Sequence, residues 1–347
     1  MNKVSNLKGD KQLSVVDLFK LIFALLIVAR HTDLISTCPD PFNWYFKHLV
    51  YRLAVPYFFV VSGYFFGKKI LAGQDSHVRF EACKQYVIKL FPPLVFWGLI
   101  GLVRYAIGLF RENSVNIPIK LIQTALFYPK GAMWYLWASI LAVCTICALW
   151  EHKKTLVLIG ICGYAFALLC NSYFFFVSGT PIGNLVTAYM GVFITARNFL
   201  GVGVLFIGIG IWLSSDKCVV KRLTKPVLIT LLCFFYALFF LEVWFIRGKE
   251  VLDDTSLFFA LPALTLLLVE LTLRTKTRYS ASRSIEMRRL STDLYYSHRA
   301  FNDYIGSVLV SIFPNNVLKF IVVLTLCLCL HYITKNSHNK FIRAVLS

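Results

Sequence analysis

The stretch 13–34, LSVVDLFKLIFALLIVARHTDL, decides the class of this protein. It is long enough to cross the hydrocarbon core of a bilayer, which is about 30 Å thick and takes roughly 20 apolar residues in a helix. Yet it carries Asp17, Lys20, Arg30 and His31. The rest of the 347 residues repeat the apolar pattern: 58% are hydrophobic, only 15% are charged, and the mean hydropathy is +0.68. A soluble domain has about 25% charged residues, so this chain cannot clothe itself in a polar surface and is read as membrane-embedded. Disorder, collagen-like and coiled-coil architectures fail on the same composition. The 10 cysteines lie mostly inside apolar runs without framework spacing, which argues against a disulfide scaffold. Cys144 and Cys147 form a C-x-x-C within such a run and are read as small apolar filler rather than metal or redox chemistry. No metal site is expected.

Outward from that first stretch, apolar runs predict an all-α polytopic membrane protein of about ten transmembrane helices. The spans are 13–34, 48–66, 86–110, 132–150, 155–169, 198–214, 226–246, 255–273, 290–312 and 316–334. Together they make one membrane domain over 1–347, with a short segment 1–12 before it and a tail 335–347 after it. The first run is too long for the apolar core of a cleavable signal peptide. Lys and Arg gather on the cytoplasmic side of membrane proteins, and here they alternate down the chain. With the N-terminus inside, the inner segments carry Lys68, Lys69, Arg79, Lys84 and Lys89, then Lys217, Lys221, Arg222 and Lys225, then a run from Arg274 to Arg289. The outer segments hold only Lys47, Arg111, Lys120, Lys130, Arg197, Arg247, Lys249 and Lys319. Both termini are therefore expected in the cytoplasm. The aromatic stretch 171–197 is an outer loop with room for an interfacial helix, because one more crossing there would place Lys217 to Lys225 outside. A net charge of +19 is mostly this inner excess, suited to anionic lipid. No nucleic-acid motif accompanies it.

Lys20, Arg30, Arg52, Arg104 and Arg299 remain inside spans, with His31 and His298 beside two of them. Ionisable groups at such depth are costly and are functional candidates. The step from Lys20 to His31 advances a helix by about 16.5 Å and about 1,100°, three turns plus about 20°, so the two share a face. Asp17 lies one turn below Lys20 and can neutralise it. By depth, Lys20, Lys68, Lys69, His298 and Arg299 fall toward the inner side. His31, Arg52, Arg104, Glu242 and the Trp134/Tyr135 pair fall toward the outer side. A cationic inner zone and a mixed outer zone joined along one helix suit a phosphate-bearing donor from the cytoplasm and an acceptor from outside.

At these residues the sequence resembles the acyltransferase 3 family of integral membrane O-acyltransferases. Asp17-Leu-Phe-Lys20, nine apolar residues, then Arg30-His31-Thr32 is similar to that family's basic residue, ten positions, then His. Arg52-Leu-Ala-Val-Pro56-Tyr-Phe-Phe-Val-Val-Ser62-Gly63-Tyr64-Phe is similar to its R-x-x-V-P-x-F-F-x-x-S-G-Y/F segment. Met133-Trp134-Tyr135-Leu136, the Gly-rich run from Gly201 to Gly210 and Ser291 to His298 follow at matching places. The resemblance implies transfer of an acyl group, commonly acetyl from acetyl-CoA, to a hydroxyl of an extracytoplasmic glycan or lipid-linked sugar at the bacterial cytoplasmic membrane. On it, His31 is expected as the base that takes the acceptor's proton. Arg52 would stabilise the oxyanion or the acceptor, and Lys20 with Lys68, Lys69 and Arg299 would hold the CoA phosphates. Asp17, Arg104, Trp134, Tyr135, Glu242 and His298 are expected to bind substrate. Ser62 is read as a packing residue. Lys20 stands where Arg is commoner, Ala132-Met133 precede Trp134 in place of His-Leu, and Arg299 follows His298 where an apolar residue is usual.

The strings ALLIVARHTDLI and RLAVPYFFVVSGYFFGKK also resemble the membrane domain of serine/alanine racemases of the vancomycin-resistance type. That resemblance implies the supply or transport of an amino acid such as L-serine to a cytoplasmic racemase domain. The last expected span ends shortly before Ser347, which leaves either a standalone transferase or the membrane half of something larger.

Overall fold

The computed structural model describes residues 6–73, 75–276, 279–306, 308, 311, 315–339 and 344–346, with side chains from residue 15 onward. Among the described residues every regular element is helical. In chain order the α-helices are α1 (Asn6–His31), α2 (Phe42–Leu49), α3 (Ala54–Leu71), α4 (Ser76–Arg111), α5 (Ile117–Phe127), α6 (Trp134–Ala148), α7 (Lys153–Leu169), α8 (Pro181–Phe193), α9 (Val204–Ser214), α10 (Lys225–Ile246), α11 (Leu261–Arg274), α12 (Ala281–Phe301) and α13 (Asn316–Asn336). Each expected span holds a helix. Among the described residues four helical stretches are long and apolar enough to cross a membrane: Phe42–Leu71, Ser76–Arg111, Lys225–Ile246 and Asn316–Asn336. The loop expected over 171–197 contains α8, whose 13 residues would extend only about 20 Å, short of a bilayer core. The chain divides into two compact units, 1–57 with 268–347, and 58–267.

In the first unit α1 lies along α12, and the two run parallel. Asp17 near the start of the buried face meets Ser284 and Arg288, and His31 at the end meets His298 and Arg299. The ninth span, expected from 290, begins as helix at Ala281, where the Ser280 hydroxyl accepts the backbone N–H of Arg283. Its charged first turns are helical because part of their polar surface is turned onto α1 rather than into lipid; Ser284 is buried while Arg288 reaches Asp17 from half-exposed ground. On its other side α12 runs antiparallel to α13, with Ser297 on Cys327, Asp293 on His331 and Glu286 on Lys335. Tyr57 is fully buried against Phe19 and Phe23 and shares a hydrogen bond with Thr272 at 3.1 Å.

In the second unit α3 and α9 meet backbone to backbone. A Cβ on Gly63 would stand 2.3 Å from the Ile207 carbonyl oxygen, and one on Gly210 would stand 2.1 Å from that of Val60. Small residues let helices approach this closely where lipid supplies no hydrophobic drive. Gly203 makes the same kind of approach to Ala138 and Ala142 of α6. The start of α11 is fixed by a carboxylate from another helix. Glu242 of α10 accepts the backbone N–H groups of Phe259 and Ala260 together with the Tyr173 hydroxyl. This answers donors that a helix N-terminus leaves without partners.

Candidate functional site

Two histidines face each other at the end of the α1–α12 pair. The rings of His31 and His298 are 5.2 Å apart, and His298 is fully buried. Their hydrogen-bond partners fix their protons. His298 Nδ1 lies 3.0 Å from the Leu294 carbonyl and 2.8 Å from that of Tyr295. Carbonyls only accept, so Nδ1 carries the hydrogen. Nε2 of the neutral ring is then a lone pair, and it is buried without a hydrogen-bond partner. His31 is the complement. The Arg299 guanidinium, which only donates, lies 3.2 Å from His31 Nδ1, so in neutral His31 the hydrogen sits on Nε2. One ring thus offers an acceptor nitrogen and the other an N–H.

Cations crowd the pair. Arg299, Arg30 and Arg52 all lie close enough to act on the His31 ring electrostatically. Arg299 is also paired with Asp303 at 3.1 Å, and Arg30 with Asp33 at 3.4 Å. The structure brings His31, His298 and Arg299 to one level. The sequence had placed His298 and Arg299 toward the inner side and His31 toward the outer side; the earlier start of α12 accounts for the difference. Lys20 is half-buried on α1, three turns before His31 on the same continuous helix. Asp17, 2% exposed, receives Ser284 Oγ at 2.5 Å and Arg288 through Nε at 3.1 Å and Nη2 at 3.0 Å. That fork-to-carboxylate geometry joins the helices at the far end from the histidines.

The other expected site residues belong to the second unit. Tyr135 shares a hydrogen bond with Ser62 at 3.1 Å and packs edge-on against Phe59, with ring centroids 4.5 Å apart. The Ser62 hydroxyl is thus engaged by a neighbouring helix. Trp134 stacks on Tyr128, and the Arg197 guanidinium sits 5.6 Å from both ring centroids. Arg104 is half-buried on α4. Lys68 and Lys69 are exposed at the end of α3, with the Lys68 ammonium 5.1 Å from the Tyr64 ring. Glu242 spends both carboxylate oxygens on the start of α11 and on Tyr173, a structural duty in place of the substrate contact expected of it.

Two clusters escaped the sequence. Arg197, expected only as outer-loop charge, pairs with Asp254 at 3.0 Å and Asp253 at 3.5 Å and reaches the Tyr128 hydroxyl. Burial works against its charge, but Tyr128, Asp254 and Asp253 outweigh it and hold the guanidinium protonated. His331 has a carboxylate on each ring nitrogen, Asp293 at 2.6 Å and Glu286 at 3.2 Å. An ionisable residue in each of two apolar runs, Asp293 and His331, was the available signal for that contact. No group of three or more His, Cys, Asp or Glu among the described residues is placed to hold a metal ion.

A family model described as an acyltransferase domain matches residues 13–335. The chain is 25% identical over 342 residues to a serine/alanine racemase of Enterococcus gallinarum, covering 93% of this chain and 46% of that protein. It is also 25% identical over 349 residues to an amino-acid racemase of Enterococcus faecalis, covering 94% and 46%. The chain thus spans about half the length of these curated relatives. No solved structure matches it.

Proposed function

This chain belongs to the acyltransferase family whose model covers residues 13–335, and from that membership we propose a membrane O-acyltransferase that uses acyl-CoA from the cytoplasmic side, acetyl-CoA in the first instance. The acceptor is a hydroxyl of an extracytoplasmic glycan, a lipid-linked sugar or another cell-surface molecule. The observation that carries the reading is the complementary hydrogen bonding of the two facing histidines. His298 Nε2 is a free lone pair able to take the proton of an acceptor hydroxyl, and positioned bases of this kind contribute typically 10²–10⁴-fold. His31, its Nδ1 engaged by Arg299, offers Nε2–H to the oxygen that becomes negative as the thioester carbonyl is attacked, with Arg52 as the second electrostatic support.

The hydroxyl oxygen bonds to the acyl carbon, the tetrahedral oxyanion collapses, the carbon–sulfur bond breaks, and CoA leaves as thiolate to be protonated by His298. No covalent acyl-enzyme is required. Lys20 supplies a point charge for CoA phosphates; Lys68 and Lys69 are candidates for the same role on charge alone. Arg104, Trp134 and Tyr135 remain the aromatic and cationic candidates for holding the acceptor.

The test begins with thermal stabilisation of the detergent-purified chain by acetyl-CoA. A ligand at a hundred times its dissociation constant adds about 2.7 kcal/mol to the folded state. Saturable stabilisation that weakens in Lys20→Ala supports the reading. Its absence in folded protein, with acetyl-CoA and longer acyl-CoAs alike, overturns it.

A second reading rests on the relatives named as racemases, which this chain matches over about half their length. In it, the membrane domain supplies an amino acid such as L-serine to a racemase domain. It predicts L-serine uptake into vesicles that carry the chain, independent of any acyl-CoA.

A further inference from the structure

A second chemical cluster lies in the unit formed by residues 58–267. Cys83 of α4 and Cys144 of α6 have their sulfur atoms 3.9 Å apart. Cys147 follows Cys144 by three residues and so shares its helix face. All three are free thiols of intermediate exposure. One turn before Cys83, on the same face of α4, Arg79 extends its guanidinium to Glu151 just beyond α6 at 2.6 Å. The two helices are thus joined by an ion pair beside a pair of touching thiols.

The sequence shows only Cys144-x-x-Cys147 in an apolar run, and filler is the natural interpretation of that alone. The third sulfur, brought across from α4, changes it. Packing needs no thiol at both sides of a helix contact, and the polar surround of Arg79 and Glu151 is not an apolar environment.

We propose that Cys83 and Cys144 are a thiol–disulfide pair that closes on exposure to hydroperoxides and reopens on reduction. Cys83 gives up its thiol proton as its sulfur attacks one peroxide oxygen. The O–O bond breaks, the leaving oxygen departs as alkoxide or hydroxide and takes up a proton, and a Cys83 sulfenic acid is left. The Cys144 thiol then attacks the Cys83 sulfur, gives up its proton, and expels the sulfenic oxygen as water. Two thiols and one hydroperoxide become one disulfide, one alcohol or water, and one further water. The sulfur pair loses two electrons and the peroxide gains them. The reducing glutathione pool of a cytoplasm would hold the pair open between episodes. The closed form ties α4 covalently to α6.

Peptide mapping of the full-length chain tests this. The detergent-purified protein is treated with hydrogen peroxide and alkylated, then reduced and alkylated with an isotopically heavy reagent. Cys83 and Cys144 should carry the heavy label together, with a peptide linking them before reduction, in the wild type and in Cys147→Ser. In Cys83→Ala, Cys144 should carry the light label, and dithiothreitol should return the wild type to full light labelling. The proposal falls if Cys83 and Cys144 both stay light at a peroxide dose that oxidises free dithiothreitol in the same tube. It falls equally if the linked peptide joins Cys147 in place of Cys144.

Discussion

The α1–α12 contact and the α3–α9 contact solve one problem in opposite ways. The first is polar and ionisable: Asp17 with Ser284 and Arg288 at one end, His31 with His298 and Arg299 at the other. The second has no side chains to speak of, only Gly63 and Gly210 against the carbonyls of Ile207 and Val60. In an apolar medium close packing holds helices cheaply, whereas each desolvated charge costs free energy unless its partners are in place. The costly version at α1–α12 is where the proposed chemistry is placed.

Five changes break or sharpen that contrast. His298→Ala should leave the protein folded and lower acyl transfer about 10²–10⁴-fold, read as acceptor acylation by labelled acetyl-CoA in membranes. Asp17→Ala should cost stability of about 3 kcal/mol, the lower end for breaking a buried pair, because Arg288 is 46% exposed and can reach water; chemical denaturation in detergent reads it. Gly210→Ala forces a Cβ against a backbone carbonyl that cannot yield, and should cost about 1–3 kcal/mol by the same measurement while acyl transfer per folded molecule is kept. Ser62→Ala should cost about 1 kcal/mol, one hydrogen bond, and retain activity, which a nucleophilic Ser62 would not allow. The smallest effect belongs to Glu286, whose carboxyl is held below its ordinary range chiefly by the Lys335 hydrogen bond, with His331 adding to it. A depressed carboxyl stabilises the fold above its unfolded pKa of about 4.3 and loses that contribution as pH falls through the folded value. Melting temperature followed downward from pH 6 should therefore decline less steeply below pH ~4.3 in Glu286→Gln than in the wild type.

Much of the helical layout is legible in the sequence because apolar length is a strong signal, and the Lys20-to-His31 spacing does fall on one uninterrupted helix. The start of α12 was not legible. Arg283, Glu286, Arg288 and Arg289 look like an inner loop until α1 is known to receive part of their polar surface, and that misplacement set His298 apart from His31. Glu242 looked like a substrate ligand because an apolar run with one carboxylate gives no sign that the donors of Phe259 and Ala260 converge on it. Arg197 was hidden for the related reason that its partners, Asp253 and Asp254, lie more than fifty residues away. Spacing within one helix carries over to structure; pairing between helices depends on register, which periodicity does not encode.

The register of α1 on α12 is the same at both ends, Ser284 standing to Asp17 as His298 stands to His31. Fourteen residues of helix separate the two contacts on each side, about 21 Å. A helix transmits axial displacement along its length, so a slip of α12 that frees Arg288 from Asp17 is delivered to the His298 ring as the same movement. The two contacts are therefore a single alignment, which can be read at either end of the helix pair.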